Sequence, residues 1–162
     1  MERLTCMFTG HRQIPANDIV RLPQKLDTLL ESLIQDGFAD FRCGGAMGFD
    51  TIAALKVIEK KQKYPYIKLH LCLPCRDQAK NWSESARRAY DMVLQAADSI
   101  SYESEIYRSG CMHARNRRMV DGSDLCVTYC TSSQGGTAYT VLYARQHGVK
   151  IHFIDFGDNR QK

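Results

Sequence analysis

The stretch Phe38-Ala39-Asp40-Phe41-Arg42-Cys43-Gly44-Gly45-Ala46-Met47-Gly48-Phe49-Asp50 decides the fold class. Phe38–Cys43 reads as a strand running straight into Gly44-Gly45, and a helix follows from about Phe49 to Lys61. That helix carries Ile52, Leu55 and Ile58 inward and Lys56, Lys60, Lys61 and Lys63 largely outward. The same strand–glycine–helix unit recurs on either side. Upstream, Leu4–Thr9 is a short apolar run ending at Gly10. Ile19, Leu22, Leu26, Leu29, Leu30, Leu33 and Ile34 then recur at helical steps up to Gly37, with Pro23 placing the regular start of that helix near itself. Downstream, Ile67–Leu73 is a third strand ended by Pro74. Asn81 and Glu84 have capping-box spacing, and the helix beyond sets Trp82, Ala86, Ala89, Val93 and Ala97 on one stripe. Ser99–Tyr102 is a short strand, Cys111–Val120 a helix and Leu125–Tyr129 a strand. Thr137–His147 is a helix with Gly148 at its end, and Lys150–Phe156 a last strand. Such alternation with short connections requires right-handed crossovers and a mostly parallel sheet covered on both faces. The apolar density of Leu125–Val127 and Ile151–Ile154 suits strands buried on both sides. The expected architecture is a three-layer α/β, Rossmann-like domain spanning residues 1–162.

At 162 residues the chain is long enough for one sizeable core, and 44% hydrophobic with 25% charged residues excludes a disordered chain. No apolar run reaches the roughly 18 residues of a membrane-spanning helix. The segment Met1–Cys6 lacks the basic and apolar regions of a secretory signal, so the cytoplasm is the expected compartment. A net charge of +4 is mild for a protein that lives on nucleic acid and suits a small anionic ligand equally well. Seven cysteines, an odd number, disfavour a disulfide framework. Cys72 and Cys75 form a C-x-x-C, but Cys72 lies within a strand rather than at a helix N-terminus, where a redox thiol is activated. Core or loop thiols are the preferred reading over a zinc site drawn from Cys72, Cys75, Cys126 and Cys130. The five histidines form no ligand-spaced cluster, so neither a metal nor a cofactor is expected.

In an open α/β sheet a ligand sits beyond the carboxyl ends of the strands, and the unusual residues fall there. The first strand is followed by Gly10-His11-Arg12, the second by Gly44-Gly45-Ala46-Met47-Gly48-Phe49-Asp50, and the fifth by Gln134-Gly135-Gly136-Thr137. Glycines let the backbone approach an anion, and each loop opens a helix whose first N–H groups are free. A single loop of this kind is explained by a tight turn; three on one rim point to a phosphate-bearing ligand. The pattern is neither a P-loop nor a dinucleotide fingerprint. Arg12 can place a guanidinium over a phosphate, while His11 reads equally as a ligand contact or a structural residue. In Met112–Met119 the residues Met112, Asn116 and Met119 share a buried stripe. Arg115 lies on its shoulder and Arg118 about 60° further along the same flank. An arginine bordering the core beside a polar Asn116 is not what a solvated face needs, so Arg115 is read as functional.

These residues carry a resemblance. Gly10-His11-Arg12, Gly44–Asp50, Arg115–Asp121 and Gly135-Gly136-Thr137, in this order, resemble the YpsA-like branch of the SLOG superfamily over about Leu4 to Ile154. That superfamily also holds the DNA-processing protein DprA and the LOG phosphoribohydrolases. The resemblance implies a Rossmann-like domain of bacteria or their phages that binds a nucleotide or nucleotide-derived ligand such as NAD or ADP-ribose. It leaves a homodimer open. LOG relatives cleave the N-glycosidic bond of nucleoside 5′-monophosphates with an Arg, matched here by Arg115, and a Glu. The Glu position is Thr140 in this chain, after a loop one step shorter. A ribosyl-cation-like transition state needs a carboxylate, and Asp50 is the one at the rim that can substitute.

Three functions remain open at this stage. The first is a binding module that senses or sequesters a small nucleotide-like ligand, with Met47, Phe49 or Trp82 as clamp for the base. The second is a nucleotide N-glycosidase using Arg115 and Asp50. The third is single-stranded DNA binding with Trp82, Tyr102, Tyr107 and Arg108, against which the mild charge argues.

Overall fold

The computed structural model describes residues 2–157. Six strands alternate with five helices among them: β1 (Leu4–Gly10), α1 (Ala16–Gln35), β2 (Phe38–Cys43), α2 (Phe49–Lys63), β3 (Lys68–Cys75), α3 (Glu84–Ala96), β4 (Ser99–Ser104), α4 (Cys111–Val120), β5 (Leu125–Tyr129), α5 (Gly136–Gln146) and β6 (Lys150–Phe153). The sheet order is β4-β3-β2-β1-β5-β6 and every pairing is parallel. The chain winds outward from β1 to β4, then returns to β5 on the other side of β1. Right-handed crossovers therefore put α1, α2 and α3 on one face and α4 and α5 on the other. This is the three-layer α/β arrangement expected from the sequence.

The two faces are covered unequally. Against α1–α3 lies the main core, with Phe8, Phe41, Phe49, Leu69 and the α1 stripe Leu22, Leu26 and Leu30 fully buried. Against α4 and α5 lies a small second cluster of Met7, Cys72, Met119, Val120, Cys126 and Ala144.

Several local expectations are corrected. Helix α1 begins at Ala16 and carries Pro23 inside it. An internal proline costs about 3 kcal/mol, but fully burying a leucine returns about 1.5–3 kcal/mol, and α1 buries several. Strand β3 runs through Pro74 to Cys75. Its pairing with β2 ends at Leu71 and Cys43, so Pro74 lies where β3 has a neighbour only in β4. The N-cap of α3 is Ser83, whose hydroxyl accepts from the Ala86 N–H at 3.3 Å, rather than Asn81. On α2 the buried stripe is Ala53, Ala54 and Val57, with Ile52, Leu55 and Ile58 half-buried at its flanks. Lys60 is buried, not outward, held by Asp27 at 2.9 Å and Glu31 at 2.8 Å of α1. Lys60 and Tyr64, with Lys63, hold the Glu31 carboxyl down at about 2. Strand β6 stops at Phe153 and forms an edge, leaving His152 and Phe153 exposed where burial on both sides was expected.

Candidate functional site

Strands β2, β1 and β5 are neighbours, so the three glycine loops at their carboxyl ends meet where the winding direction reverses. Backbone contacts tie them together. The His11 N–H donates to the Tyr129 carbonyl at 3.3 Å, and the Phe49 N–H donates to the His11 carbonyl at 3.1 Å. Gly48 has φ +79°, and a Cβ there would stand 2.3 Å from the Arg12 carbonyl oxygen, so only glycine lets these loops cross. The Thr131 N–H donates to His11 Nε2 at 2.8 Å, which places the ring proton on Nδ1 and keeps the imidazole neutral. Burial lowers the His11 pKa in the same sense. Histidine 11 is thus a structural tie between two loops as well as part of the rim.

Between these loops and α4 lies a cavity of about 320 Å³. Gly10, His11, Arg12, Asp50, Arg115, Asn116, Gly135, Gly136 and Thr137, all expected from the sequence, line it together. Thr9, Ala46, Met112 and Gln134 join them without having been singled out. Met112 was visible as the residue three before Arg115; it receives the Arg115 Nη2 at 3.8 Å from its sulfur. Other expected residues support the cavity from outside it. Gly44 lies beneath it, its carbonyl accepting from Arg115 Nη1. Gly45 packs against Leu73, Gly48 against Arg12, and Met47 is half-buried off the lining. Arg118 is away from this cavity: it is exposed, pairs with Glu103 of β4 and faces a different pocket. Once α4 turns Arg115 down onto Gly44, the flank carrying Arg118 projects toward the sheet's β4 edge. Of the three residues considered for a base clamp, Phe49 is fully buried beneath the loops and Trp82 packs on Tyr90 at 5.3 Å between ring centroids.

The charges are unusual. Arg115 is 5% exposed, and its Nε donates to Asn116 Oδ1 at 2.7 Å. Among the described residues it makes hydrogen bonds but no ion pair. Burial depresses its pKa and Arg12 adds to that, while Asp50 opposes both. Asp50 is also buried; its Oδ2 accepts from the Ala46 N–H at 3.3 Å. Burial pushes its carboxyl up to about 6, against the pull of Arg115 and the Ala46 N–H. Arg12 is exposed and its guanidinium has no hydrogen-bond or ion-pair partner among the described residues. Helix α5 opens on Gly135 with no side-chain cap, so its first N–H groups carry the positive end of the helix dipole to the same cavity. Thr140 is fully buried and donates its hydroxyl to the Gly136 carbonyl at 2.8 Å. Six cysteines are buried and Cys130 is half-buried, all as free thiols. Burial pushes Cys75 to about 11 and Cys126 to about 12, the opposite of a reactive thiolate.

A family profile described as the YspA SLOG family matches residues 8–159. The chain belongs to this SLOG family. Among relatives of this SLOG chain, the SPbeta prophage-derived protein YoqJ of Bacillus subtilis is 30% identical over 141 residues, 79% of this chain and 82% of that protein. Protein YpsA of the same organism is 28% identical over 141 residues, 81% of this chain and 77% of YpsA. In fold, the SLOG chain is similar to DNA processing protein A of Helicobacter pylori, a structure described for its single-stranded DNA binding mode. The TM-score is 0.69 at 20% identity, covering 96% of this chain and 67% of that one. It is likewise similar to DprA of Streptococcus pneumoniae, with a TM-score of 0.72 at 15% identity over 97% of this chain and 52% of DprA. No helix among the described residues is long and apolar enough to cross a membrane.

Proposed function

We propose that this SLOG chain binds a small nucleotide or nucleotide-derived ligand, of the NAD, ADP-ribose or nucleoside-phosphate type, at the carboxyl rim of the sheet. A phosphate is held between Arg12, Arg115 and the open N-terminus of α5, and the biological form is sensing or sequestration. The observation that carries this is Arg115, a guanidinium buried at a cavity wall that forms no ion pair among the described residues, Asp50 acting on it only at longer range. Burying a charge without a close ion pair costs several kcal/mol, and an incoming phosphate supplies the direct counter-ion that offsets it. Arg12 supplies a second, uncommitted cation. Thr140 supports binding without turnover, because no carboxylate stands where the LOG glutamate does.

Asp50 favours one second reading, an N-glycosidase. It lines the same cavity, and a carboxyl pushed up to about 6 is tuned for proton transfer near neutral pH. Native mass spectrometry after incubation with AMP, NAD, ADP-ribose and cyclic ADP-ribose separates the two. An intact ligand mass that disappears in Arg115→Ala supports binding; free base in solution, lost in Asp50→Asn, supports the glycosidase. Neither a mass shift nor free base with any nucleotide refutes both and turns attention to single-stranded DNA. The same spectra report whether the protein is a homodimer.

A further inference from the structure

The unequal covering of the sheet leaves a second polar centre outside the glycine-loop cavity. On the face carrying α4 and α5, residues of β2, β3 and β4 form the floor of a cavity of about 840 Å³, roofed in part by α4. That floor is strongly polar for a sheet, with Asp40, Arg42, His70, Ser99, Ser101 and Glu103 all facing it. Three of them are linked in a row. His70 Nδ1 lies 2.6 Å from Ser99 Oγ, and His70 Nε2 lies 2.8 Å from Asp40 Oδ1. The parallel register makes this row: His70 is directly opposite Ser99, and Asp40 is opposite Lys68, two residues before His70.

The chemistry of each member is set by its neighbours. Arg3 Nε donates to Asp40 Oδ2 at 2.9 Å. Burial would raise the Asp40 pKa, but the hydrogen bonds from Arg3 and His70 hold it below the usual carboxylate value. An ionised Asp40 accepts only, so His70 Nε2 carries the proton and Nδ1 is left as an acceptor for the Ser99 hydroxyl. Ser99 itself is exposed at the start of the edge strand β4, open to solvent and to a reagent.

We propose that Ser99, His70 and Asp40 form a second, catalytic site in this protein, a serine hydrolase centre on the open face of the sheet that acts on small carboxylic esters. Ser99 Oγ attacks the ester carbonyl carbon and its proton passes to His70 Nδ1. The tetrahedral intermediate collapses by breaking the bond to the alcohol oxygen, which leaves with that proton, and the acyl group stays on Ser99. Water then attacks the acyl carbon, gives its proton to His70 Nδ1, and releases the carboxylic acid as Ser99 Oγ recovers the proton. Asp40 holds the imidazole in the required tautomer and stabilises the imidazolium. Arg42 lines the same cavity, but its Nη1 donates to the Met119 carbonyl at 3.0 Å and the Asp121 carbonyl at 2.6 Å at the end of α4, so it adds positive charge to the cavity wall rather than a hydrogen bond to the oxyanion.

The test uses the full chain and a fluorophosphonate, which phosphonylates a hydroxyl activated by a neighbouring base and releases fluoride. The expected result is one added phosphonyl mass, mapped by peptide fragmentation to Ser99 and absent in Ser99→Ala. Ser101→Ala, two residues along the same strand and facing the same cavity, keeps the label. Removing the base in His70→Gln slows labelling about 100-fold or more, the low end of general-base effects. An acetyl group appearing on Ser99 during p-nitrophenyl acetate hydrolysis is the corresponding turnover signal. The proposal is overturned if folded wild-type protein takes no label, if the label maps elsewhere, or if His70→Gln with wild-type melting behaviour labels at the wild-type rate.

Discussion

Arg115→Met separates what Arg115 does for the ligand from what it does for the fold. The side chain is 5% exposed and makes three hydrogen bonds, to the Gly44 carbonyl, Asn116 Oδ1 and Met112 Sδ, but no ion pair among the described residues. Each bond from a charged donor is worth about 1.5–3 kcal/mol, so the two to oxygen contribute about 3–6 kcal/mol. Against them stands a desolvation penalty of several kcal/mol for a buried ion. The two nearly cancel. A methionine of similar length keeps the packing and removes the penalty, but it leaves the Gly44 carbonyl and Asn116 Oδ1 without that donor, so the net change is expected to be small. The unliganded variant is therefore expected to melt within a few degrees of wild type, since 1 kcal/mol shifts a chain of this size by about 2–4 °C. Ligand binding responds oppositely. Losing a buried charge-assisted contact to phosphate costs about 2–5 kcal/mol, a weakening of about 30-fold or more in Kd. Calorimetric melting of the apo protein, paired with titration of whichever nucleotide shifts the wild-type mass, reads both effects. A variant that loses more than about 3 kcal/mol of stability while binding normally would refute the reasoning, because Arg115 would then be a structural residue.

Asp50→Asn should change the pH dependence of stability. The wild-type carboxyl sits at about 6 when folded against an ordinary 3.8, so the folded state binds the extra proton between these values and stability falls as pH rises through that window. The shift corresponds to about 3 kcal/mol lost between pH 4 and 7, and denaturant titrations of the Asn variant should lack that slope. His11 contributes with the opposite sign: its folded pKa is depressed, so its stabilisation is present above the ordinary value of 6.5 and is lost as pH falls through the folded one. His11→Ala also strips the Thr131 N–H of its acceptor; that bond is exposed to water, so its loss should cost about 0.5–1.5 kcal/mol at pH 7.5, measured by the same titrations. Gly48→Ala should be among the most damaging single-methyl changes in the molecule, because the new Cβ meets a backbone carbonyl at 2.3 Å and the residue must keep φ +79°. A loss above about 2 kcal/mol in thermal melting is expected, and wild-type melting would contradict the crossing of the two loops.

The strand–helix alternation and the glycine-bearing rim were legible because both are local signals. Gly10 and Gly44-Gly45 stand at strand ends, Gly135-Gly136 opens α5, and the apolar steps of α1 need no partner to be recognised. The same is true of Arg115, whose place beside Asn116 on the buried side of α4 follows from helical periodicity alone. What was not legible depends on neighbours distant in sequence. Pro23 inside α1 and Pro74 inside β3 are tolerated only because of what the rest of the molecule packs or pairs there. Lys60 is buried because Asp27 and Glu31 meet it from another helix. β6 is exposed because it is the last strand added, a fact of order that its apolar composition does not carry. Arg118 was misplaced for a related reason: its direction on α4 was readable, but Glu103, waiting on β4, was not.

The row of Asp40, His70 and Ser99 is the extreme case. Each residue reads alone as an unremarkable polar position in a strand, and only the parallel register of β2, β3 and β4 aligns them. The same topology explains why that face is open. Three crossover helices cover the β1–β4 side, whereas the return from β4 to β5 is made by the ten-residue α4 and followed only by α5. At about 1.5 Å per residue α4 is about 15 Å long, while each strand it faces lies about 4.8 Å from the next. Together with α5 it seals Met7, Cys72 and Cys126 but leaves Asp40 of β2, His70 of β3 and Ser99 and Ser101 of β4 lining an open cavity. Residues there escape the demand for apolar side chains that governs Phe8 and Phe41 on the other face. Polar groups are thus free to assemble without cost to the core. If the row were only solvated filler, Ser99 and Ser101 would react alike toward an electrophile; a rate difference of about 100-fold between two serines on one strand needs the imidazole that only Ser99 touches.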